Sequence, residues 1–267
     1  MSEEKAMPLL AAARKQPYDR HDNQEGLVRH GKQVLLMQND RADSKADNLF
    51  PRGALEKWAE NFPAFVEINV SDKGLIYREG DRCTKVFCVI NGCVKLSVMT
   101  AEGNELTTAL LRRGQIFGSL RPESSQEAEE TAQAVGEVRA YQISRDEFKA
   151  LLFQHPHLSW WCIEVLCAKR HQAERKLHNI LTQTVEMRVL GTLKDLSEAF
   201  GVRCVHGYAL EVRLTQQDLA DLVGASRSVV STIMNELRRR GMLDYTRDLI
   251  CINDRALSES SHSEIKL

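Results

Sequence analysis

Residues 215 to 240 read TQQDLADLVGASRSVVSTIMNELRRR, and their pattern predicts the fold of the carboxy-terminal part of the chain. Thr215, followed three residues later by Asp218, forms a capping-box pattern that predicts the start of a helix. Gly224 is suited to the left-handed conformation that ends a helix, and Ser226 to the cap of a second one. The buried side of the first helix would consist of Leu219, Ala220, Leu222 and Val223.

The second predicted helix has one apolar and one polar face. Its apolar side consists of Val229, Val230, Ile233, Met234 and Leu237. Its outward side offers Arg227, Ser228, Ser231, Thr232 and Asn235, and its far end carries Arg238, Arg239 and Arg240. Two short helices joined by a glycine-containing turn are typical of a helix-turn-helix. We therefore predict that the outward residues approach DNA bases and that Arg238 and Arg239 lie on or near phosphates.

The local charge supports this prediction. The whole chain is nearly neutral, with 36 Lys and Arg against 37 Asp and Glu. Between residues 224 and 243, however, four arginines stand against Glu236 alone, a net charge of +3 that attracts a phosphate backbone. Arginines at a helix end also complement its dipole, so a purely structural role stays open. Apolar runs at Leu243 to Tyr245 and Leu249 to Ile252 predict a wing, with Arg247 at its tip within reach of phosphate.

The composition fits a protein of two folded domains. At 267 residues the chain exceeds the roughly 100 to 200 residues that one core usually organises. No stretch approaches the roughly 18 apolar residues of a membrane-spanning helix, so we expect a cytoplasmic protein without a membrane partner. The seven cysteines show no zinc spacing, and HExxH, GxSxG and phosphate-binding glycine loops are absent from the sequence. We therefore predict no catalytic residue, no metal and no cofactor.

Short runs of β-branched residues separated by glycine fill the region from Glu67 to Ile143. The clearest signal is the pair Asn91-Gly92 between Lys85 to Ile90 and Cys93 to Met99, which predicts a two-residue hairpin because both turn residues tolerate positive φ. A second turn at Glu102-Gly103-Asn104 precedes another strand. Short strands with glycine corners predict a small antiparallel β-roll.

The segment from about Leu158 to Leu181 has the periodicity of a long helix. Mostly apolar or small residues recur at alternating steps of three and four, which matches a coiled-coil seam. The stripe consists of Ile163, Leu166, Arg170, Ala173, Leu177 and Ile180. We predict that it pairs with the same stripe of a second chain and so forms a homodimer. The alternative is a helix that lies on its own domain.

Several motifs together resemble a family of bacterial transcription regulators, the CRP/FNR family, which includes the cyclic-AMP receptor protein and the fumarate and nitrate reduction regulator. They are GLIYREGD at Gly74 to Asp81, the strands of Val86 to Val94, GQIFG at Gly114 to Gly118, the long helix, and Leu214 to Ala220 running on to Ser226-Arg227. The resemblance covers about residues 65 to 253. It implies an α+β fold: a cyclic-nucleotide-binding-like antiparallel β-roll, a dimerisation helix and a winged helix-turn-helix.

The resemblance also implies a function. Members of this family bind double-stranded DNA as homodimers at inverted-repeat operators, with each recognition helix in a major groove. RNA polymerase would be a further partner. The family usually has a glutamate after the first arginine of the recognition helix and another arginine one turn later. Here Ser228 and Thr232 occupy those places, so we expect Arg227 to bind guanine in an operator that differs from the usual one.

The β-roll departs from the cyclic-nucleotide binders of the family. Those proteins follow the Phe-Gly of the roll with a glutamate, and place an Arg-Ser pair on the phosphate. Here Ser119 stands at the first position, and the second region, Gln126 to Ala132, is acidic. Acids at that place would repel a phosphate. We therefore predict no ordinary response to cyclic AMP, and the effector stays unidentified.

Thiol chemistry is an open alternative for the sensor. No cysteine precedes Cys83, so the amino-terminal cluster of the iron–sulfur members is missing, and the histidines show no spacing that indicates a haem. Cys88 and Cys93 would share a face across the predicted hairpin, with Cys83 in a nearby turn. These three are candidate redox residues, although cysteine is also a good small core residue.

We predict five segments along the chain. They are a loosely ordered extension at 1–52, a β-roll sensor at 53–157, a dimerisation helix at 158–184, a winged helix-turn-helix at 185–256 and a tail at 257–267. Within the second segment, Ala54 to Glu60 has the spacing of a short helix. The favoured function is sequence-specific transcription regulation. The alternative is a sensor or interaction protein whose main partner is a protein or small ligand, under thiol redox control.

Overall fold

The computed structural model describes residues 62–120, 127–210, 212–246 and 249–256. Four sequence-based predictions lie outside these residues: the extension, the short helix before the roll, Arg247 and the tail. Within the described ranges, no helix has the length and apolar character that crossing a bilayer requires.

The chain has a β-rich first half and a mixed second half. The first half contains β1 (Val66–Val70), β2 (Leu75–Tyr77), β3 (Lys85–Met99), β4 (Glu105–Leu111), β5 (Ile116–Gly118) and β6 (Thr131–Ser144). Three helices follow, α1 (Arg145–Gln154), α2 (Pro156–Thr182) and α3 (Val185–Phe200). The last part contains β7 (Gly201–Cys204), β8 (Gly207–Leu210), α4 (Gln216–Val223), α5 (Arg227–Arg239), β9 (Leu243–Tyr245) and β10 (Ile250–Asn253).

The first six strands form the predicted antiparallel roll. Their order is β1-β6-β3-β4, with β2 paired to β6 and β5 paired to β3. The two long strands β3 and β6 pair along most of their length and hold the sheet together. Inside, Phe87 stacks on Phe117 at a centroid distance of 5.1 Å, and Tyr77 lies next to both rings. Burial of these apolar faces stabilises the roll.

The predicted hairpin at Asn91-Gly92 is wrong. The chain does not reverse there, because β3 runs through as one strand of 15 residues and β6 pairs with it on both sides of this point. Gly92 does have positive φ, +88°, but the register shifts around it identify a β-bulge. Cys88 and Cys93 therefore lie on one strand and are not cross-strand neighbours.

The winged helix-turn-helix has its own sheet and its own core. The strand order is β7-β8-β10-β9, all antiparallel. The predicted capping box is confirmed: the Thr215 side chain accepts from the backbone of Asp218, whose side chain accepts from the backbone of Thr215. Gly224 ends α4 in the left-handed conformation, with φ +70°, and Ser226 caps α5. The pattern of Thr215–Arg240 thus produces the two helices and the turn that it predicts.

Replacing Gly92 with alanine should destabilise the roll far more than replacing Gly103. Both glycines have positive φ, +88° and +79°, so each alanine incurs a backbone penalty of about 1–2 kcal/mol. Only at Gly92 does the new Cβ meet a backbone oxygen, that of Glu137 at 2.3 Å; nothing lies within 4 Å at Gly103. We expect Gly92→Ala to lose roughly 2 kcal/mol more in urea unfolding. Equal losses for the two variants would contradict the bulge.

Candidate nucleic-acid interface

Helix α5 has one side in the core and one in solvent. Val230, Met234 and Leu237 are almost fully buried, and they pack with residues of α3, α4 and the wing strands. The opposite side carries the residues that the sequence predicted as base contacts. Of these, Arg227, Ser228, Thr232 and Asn235 are exposed, and Ser231 is half-buried. The burial of the apolar side fixes the rotation of the helix, so its polar side faces outward.

Two arginines at the end of α5 form ion pairs on the surface. Arg239 makes a bidentate pair with Glu236, with N···O distances of 2.9 and 2.7 Å. Arg240 contacts Glu186 of α3 at 2.6 Å. Exposed pairs of this kind contribute only about 0–1 kcal/mol, so a phosphate can compete for the guanidinium. The Arg239 side chain is 75% exposed and is suited to that exchange.

Arg238 is placed differently, because its partner is buried. Its Nε lies 2.9 Å from Oδ1 of Asp244, whose side chain is only 2% exposed. Withdrawing the guanidinium would leave a buried carboxylate without its cation, at a cost of about 3–5 kcal/mol. Nε of Arg238 therefore has a structural role. Its predicted phosphate contact stays a prediction, and would use the two Nη atoms.

A second contact between the wing and α5 was not predicted from the sequence. The hydroxyl of Tyr245 on β9 donates to Oδ1 of Asn235 at 2.8 Å. The guanidinium of Arg238 lies over the Tyr245 ring, 5.6 Å from its centroid. Ten residues separate Asn235 from Tyr245, and the contact depends on how β9 folds back along α5. No local pattern signals it.

The roll touches the helix-turn-helix through β4. The Thr107 hydroxyl donates to Oδ1 of Asp218 at 2.8 Å, and the Thr107 backbone N–H donates to Asp221 at 2.9 Å. The ammonium of Lys95 lies 3.6 Å from Oδ1 of Asp218. Leu110 adds an apolar contact, since it packs against the core of the winged domain. Residues of the β-roll therefore hold helix α4.

The ionisation of Asp218 depends on these contacts. Burial, the largest effect, opposes the charged form, but hydrogen bonds from Thr215 and Thr107 and the charge of Lys95 outweigh it. The net result is a pKa below the ordinary value of an aspartate. Asp218 is thus a buried carboxylate that stays charged because both domains donate to it.

The end of the long helix also contacts the helix-turn-helix. Arg188 of α3 donates to the carbonyl oxygens of Ile180 and Gly224, at 3.2 and 3.3 Å. The Ile180 side chain approaches the turn so closely that a Cβ on Gly224 would lie 3.2 Å from it. The tip of α2 therefore packs against the turn between α4 and α5.

The predicted dimer stripe lies on the uncovered side of α2. Leu158 and Val165 pack against the roll, while further along the helix large apolar side chains face solvent. The six predicted residues are Ile163, Leu166, Arg170, Ala173, Leu177 and Ile180, and large apolar members among them are exposed, Leu177 by 59%. An apolar stripe of this length left open to water indicates an interaction surface.

The roll encloses a small acidic cavity. Its volume is about 20 Å³, and its walls are Tyr77, Cys83, Gly118, Ser119, Glu127, Ala128, Glu129 and Glu130. That is room for about one water molecule, whereas small-molecule sites span roughly 300–1,000 Å³. Burial, and then the charge of Glu130, raise the pKa of Tyr77, whose hydroxyl donates to Glu130 at 3.1 Å. The negative charges of Glu127, Glu129 and Glu130 disfavour phosphate binding in this cavity.

The three candidate redox cysteines are buried and lie in different surroundings. Cys83 donates to the carbonyl of Lys85, and Cys88 packs with Val165 of α2. Burial, and then the charge of Asp218, raise the pKa of Cys93 to about 12, which disfavours its thiolate. The redox role of these residues stays a prediction.

One thiol pair was missed by the sequence reasoning. The sulfur atoms of Cys204 on β7 and Cys251 on β10 lie 3.6 Å apart. Burial, and then the hydrogen bond with Cys204, raise the pKa of Cys251 to about 12. In the part of the chain that the structure describes, no three His, Cys, Asp or Glu residues are grouped to hold a metal ion.

Comparison with known proteins identifies both halves of this architecture. Residues 67–155 match the cyclic nucleotide-binding domain, and residues 187–257 match the Crp-like helix-turn-helix domain. The chain belongs to the CRP/FNR family of bacterial transcription regulators. A CRP/FNR protein of this kind carries a helix-turn-helix DNA-binding domain, and in this chain α4 and α5 form it.

Other CRP/FNR proteins resemble the chain along most of its length. A global nitrogen regulator of Synechocystis is 28% identical over 204 residues, which cover 75% of this chain and 90% of the relative. A CRP-like cAMP-activated global transcriptional regulator of Mycobacterium tuberculosis is 27% identical over 181 residues, with coverages of 67% and 80%.

Two solved structures have the same fold. A CRP/FNR transcriptional regulator of Thermus thermophilus matches with a TM-score of 0.61 at 25% identity, covering 74% of this chain and 98% of that one. A CooA mutant of Carboxydothermus hydrogenoformans matches with a TM-score of 0.64 at 20% identity, covering 80% and 97%. The second likeness concerns the fold alone.

Replacing Thr107 with valine should weaken the contact between the roll and α4. Valine keeps the shape but removes a donor to the buried Asp218, at a cost of about 1–3 kcal/mol in urea unfolding. The matched control is Thr108→Val, whose hydroxyl donates to Leu96 within the roll.

This loss should also depend on pH. A lowered native pKa stabilises the fold above the unfolded value of about 3.9, and that stability is lost as pH falls through the native pKa. The difference between Thr107→Val and wild type should therefore shrink in this acidic range. A difference that stays constant down to low pH, or an equal effect of Thr108→Val, would count against the contact.

Proposed function

We propose that this CRP/FNR regulator acts as a homodimer on an inverted-repeat operator, with one α5 helix in each major groove. The observation that carries the proposal is the orientation of α5. Its apolar side is buried in the winged domain, and the residues predicted to approach bases face solvent together. A helix with this polar ridge fits the width of the major groove.

Arg227 is the strongest candidate for a base contact. It lies in the first turn of α5 and is exposed, and among the described residues it forms no ion pair. An arginine in this position binds O6 and N7 of guanine in bidentate fashion. Ser228, Ser231, Thr232 and Asn235 complete the base-facing side. The operator should differ from that of relatives with glutamate and arginine at positions 228 and 232.

Phosphate contacts would come from the arginines around the recognition helix. Arg239 exchanges an exposed partner for phosphate at little cost, and Arg238 offers its two Nη atoms while Nε holds Asp244. Arg247 would add a contact from the wing tip. Because each phosphate neutralised releases counterions, DNA binding should weaken steeply with salt.

The uncovered stripe on α2 supports the homodimer. Pairing two copies along it buries Leu166 and Leu177 against their equivalents and places two α5 helices in one molecule. A two-fold axis then relates the two helices, so the operator must be an inverted repeat with half-sites about one helical turn apart. One relative is cAMP-activated; here the acidic walls of the small cavity support the proposal that the β-roll gives no ordinary response to cyclic AMP.

Leu177→Glu should convert the homodimer into a monomer. Two glutamates facing each other in an apolar seam are destabilised by desolvation and by like charge. Phe153→Glu is the matched control, because Phe153 is 78% exposed but lies on α1, outside the stripe. Sedimentation velocity should show a dimer for wild type and Phe153→Glu and a monomer for Leu177→Glu. A monomeric wild type would overturn the assembly.

Arg227→Ala should lose affinity mainly on the selected operator. After selection from random oligonucleotides, we expect a loss of about 1–3 kcal/mol per half-site and relaxed preference at one base pair, whereas Arg247→Ala should weaken all sequences alike. Binding should not change on addition of cyclic AMP. Equal losses on operator and random DNA for both variants would contradict these roles. Absent or salt-independent DNA binding would favour a protein or small ligand as the main partner.

A further inference from the structure

Asn235 is a predicted base-contacting residue that a wing side chain holds. It lies exposed on the outward side of α5, and its Oδ1 accepts a hydrogen bond of 2.8 Å from the hydroxyl of Tyr245. This bond turns the oxygen end of the amide toward Tyr245. The choice matters, because the two ends of an asparagine amide have opposite hydrogen-bonding character.

Tyr245 is itself held on three sides. Its ring is half-buried and packs against the core of the winged domain. Its backbone N–H donates to Oδ1 of Asp244 at 2.9 Å, and the same oxygen binds Nε of Arg238 at 2.9 Å. The Arg238 guanidinium in turn covers the ring of Tyr245. The phenol oxygen is therefore presented to α5 from a fixed position.

The consequence for Asn235 is a restricted set of bases. A free asparagine binds adenine with both ends of its amide: the oxygen accepts from N6 and the nitrogen donates to N7. Because Oδ1 is turned toward Tyr245 and one of its two lone pairs is occupied, this oxygen is poorly placed to accept from adenine N6, whereas the two hydrogens on Nδ2 are left for the DNA. These match base edges that accept hydrogen bonds, which are O6 and N7 of guanine and O4 of thymine.

The neighbouring Thr232 has the opposite character. Its hydroxyl donates to the backbone carbonyl of Ser228 at 3.0 Å, so its hydrogen is used within the helix. What remains is an oxygen that accepts and a methyl group. Asn235 and Thr232 thus present a donor and an acceptor side by side on α5.

We propose that Tyr245 is a positioning residue that directs Asn235 toward guanine or thymine and disfavours adenine. The proposal rests on the proposed function, in which α5 enters a major groove. It concerns specificity at one base pair of each half-site. Tyr245 itself needs no contact with DNA for this effect.

The test is a random-oligonucleotide selection with four proteins: wild type, Asn235→Ala, Tyr245→Phe and Tyr208→Phe. Asn235→Ala should lose preference at one position of the half-site and so locate the base. Wild type should select guanine or thymine over adenine there by about 5- to 100-fold. Tyr245→Phe frees the amide to turn, so adenine should rise at that position alone. Tyr208→Phe removes a phenol from β8 of the same sheet and should match wild type.

The outcomes distinguish a failure of the positioning role of Tyr245 from a failure of the proposed DNA-binding function. If wild type selects a sequence but prefers adenine or cytosine at the Asn235 position, the positioning role is wrong and the proposed function stands. The same holds if Tyr245→Phe keeps the wild-type preference, or if Asn235→Ala changes no position. A uniform loss at all positions in Tyr245→Phe would indicate a merely structural role and overturn the proposal. If wild type selects no sequence at all, the proposed function fails, and the proposal fails with it.

Discussion

The carboxylate of Asp218 joins the β-roll to the DNA-binding half of the molecule. Its Oδ2 accepts from the backbone N–H and the hydroxyl of Thr215, and so caps α4. Its Oδ1 accepts from Thr107 of the roll. The charge is buried and costly, and it persists because donors from both sides satisfy it. The placement of α4, and of the α5 helix that packs on it, therefore depends on a group that the roll also holds.

Much of the helix-turn-helix was predictable because its determinants are local. A threonine and an aspartate three residues apart start α4, Gly224 ends it, and Ser226 starts α5; each of these signals acts within one turn of helix. The alternation of apolar and polar residues then assigned Val230, Met234 and Leu237 to the core and Arg227 to the surface. The structure reproduces these assignments, but the same pattern also placed Val229 on the inward side, where it is wrong, because Val229 is 42% exposed.

Features that depend on distant partners were missed. The pair Asn91-Gly92 carries the same positive-φ signal for a hairpin turn and for a bulge, and only the pairing with β6, a strand distant in the sequence, decides in favour of the bulge. The ion pair of Arg238 with buried Asp244 and the contact of Tyr245 with Asn235 likewise require β9 to fold back on α5. The charge of Arg238 predicts a phosphate contact, whereas tertiary packing pairs its Nε with the buried Asp244.

The contact between the tip of α2 and the Gly224 turn bears on the operator spacing that the proposed homodimer can bind. Because Ile180 touches that turn and Arg188 bonds both segments, the helix-turn-helix is seated on the end of the long helix. In the proposed homodimer, the distance between the ends of the two α2 helices therefore sets the distance between the two helix-turn-helix motifs. A small change in how tightly the two α2 helices wind around each other would open or close the gap between their tips, and with it the half-site spacing that the molecule accepts.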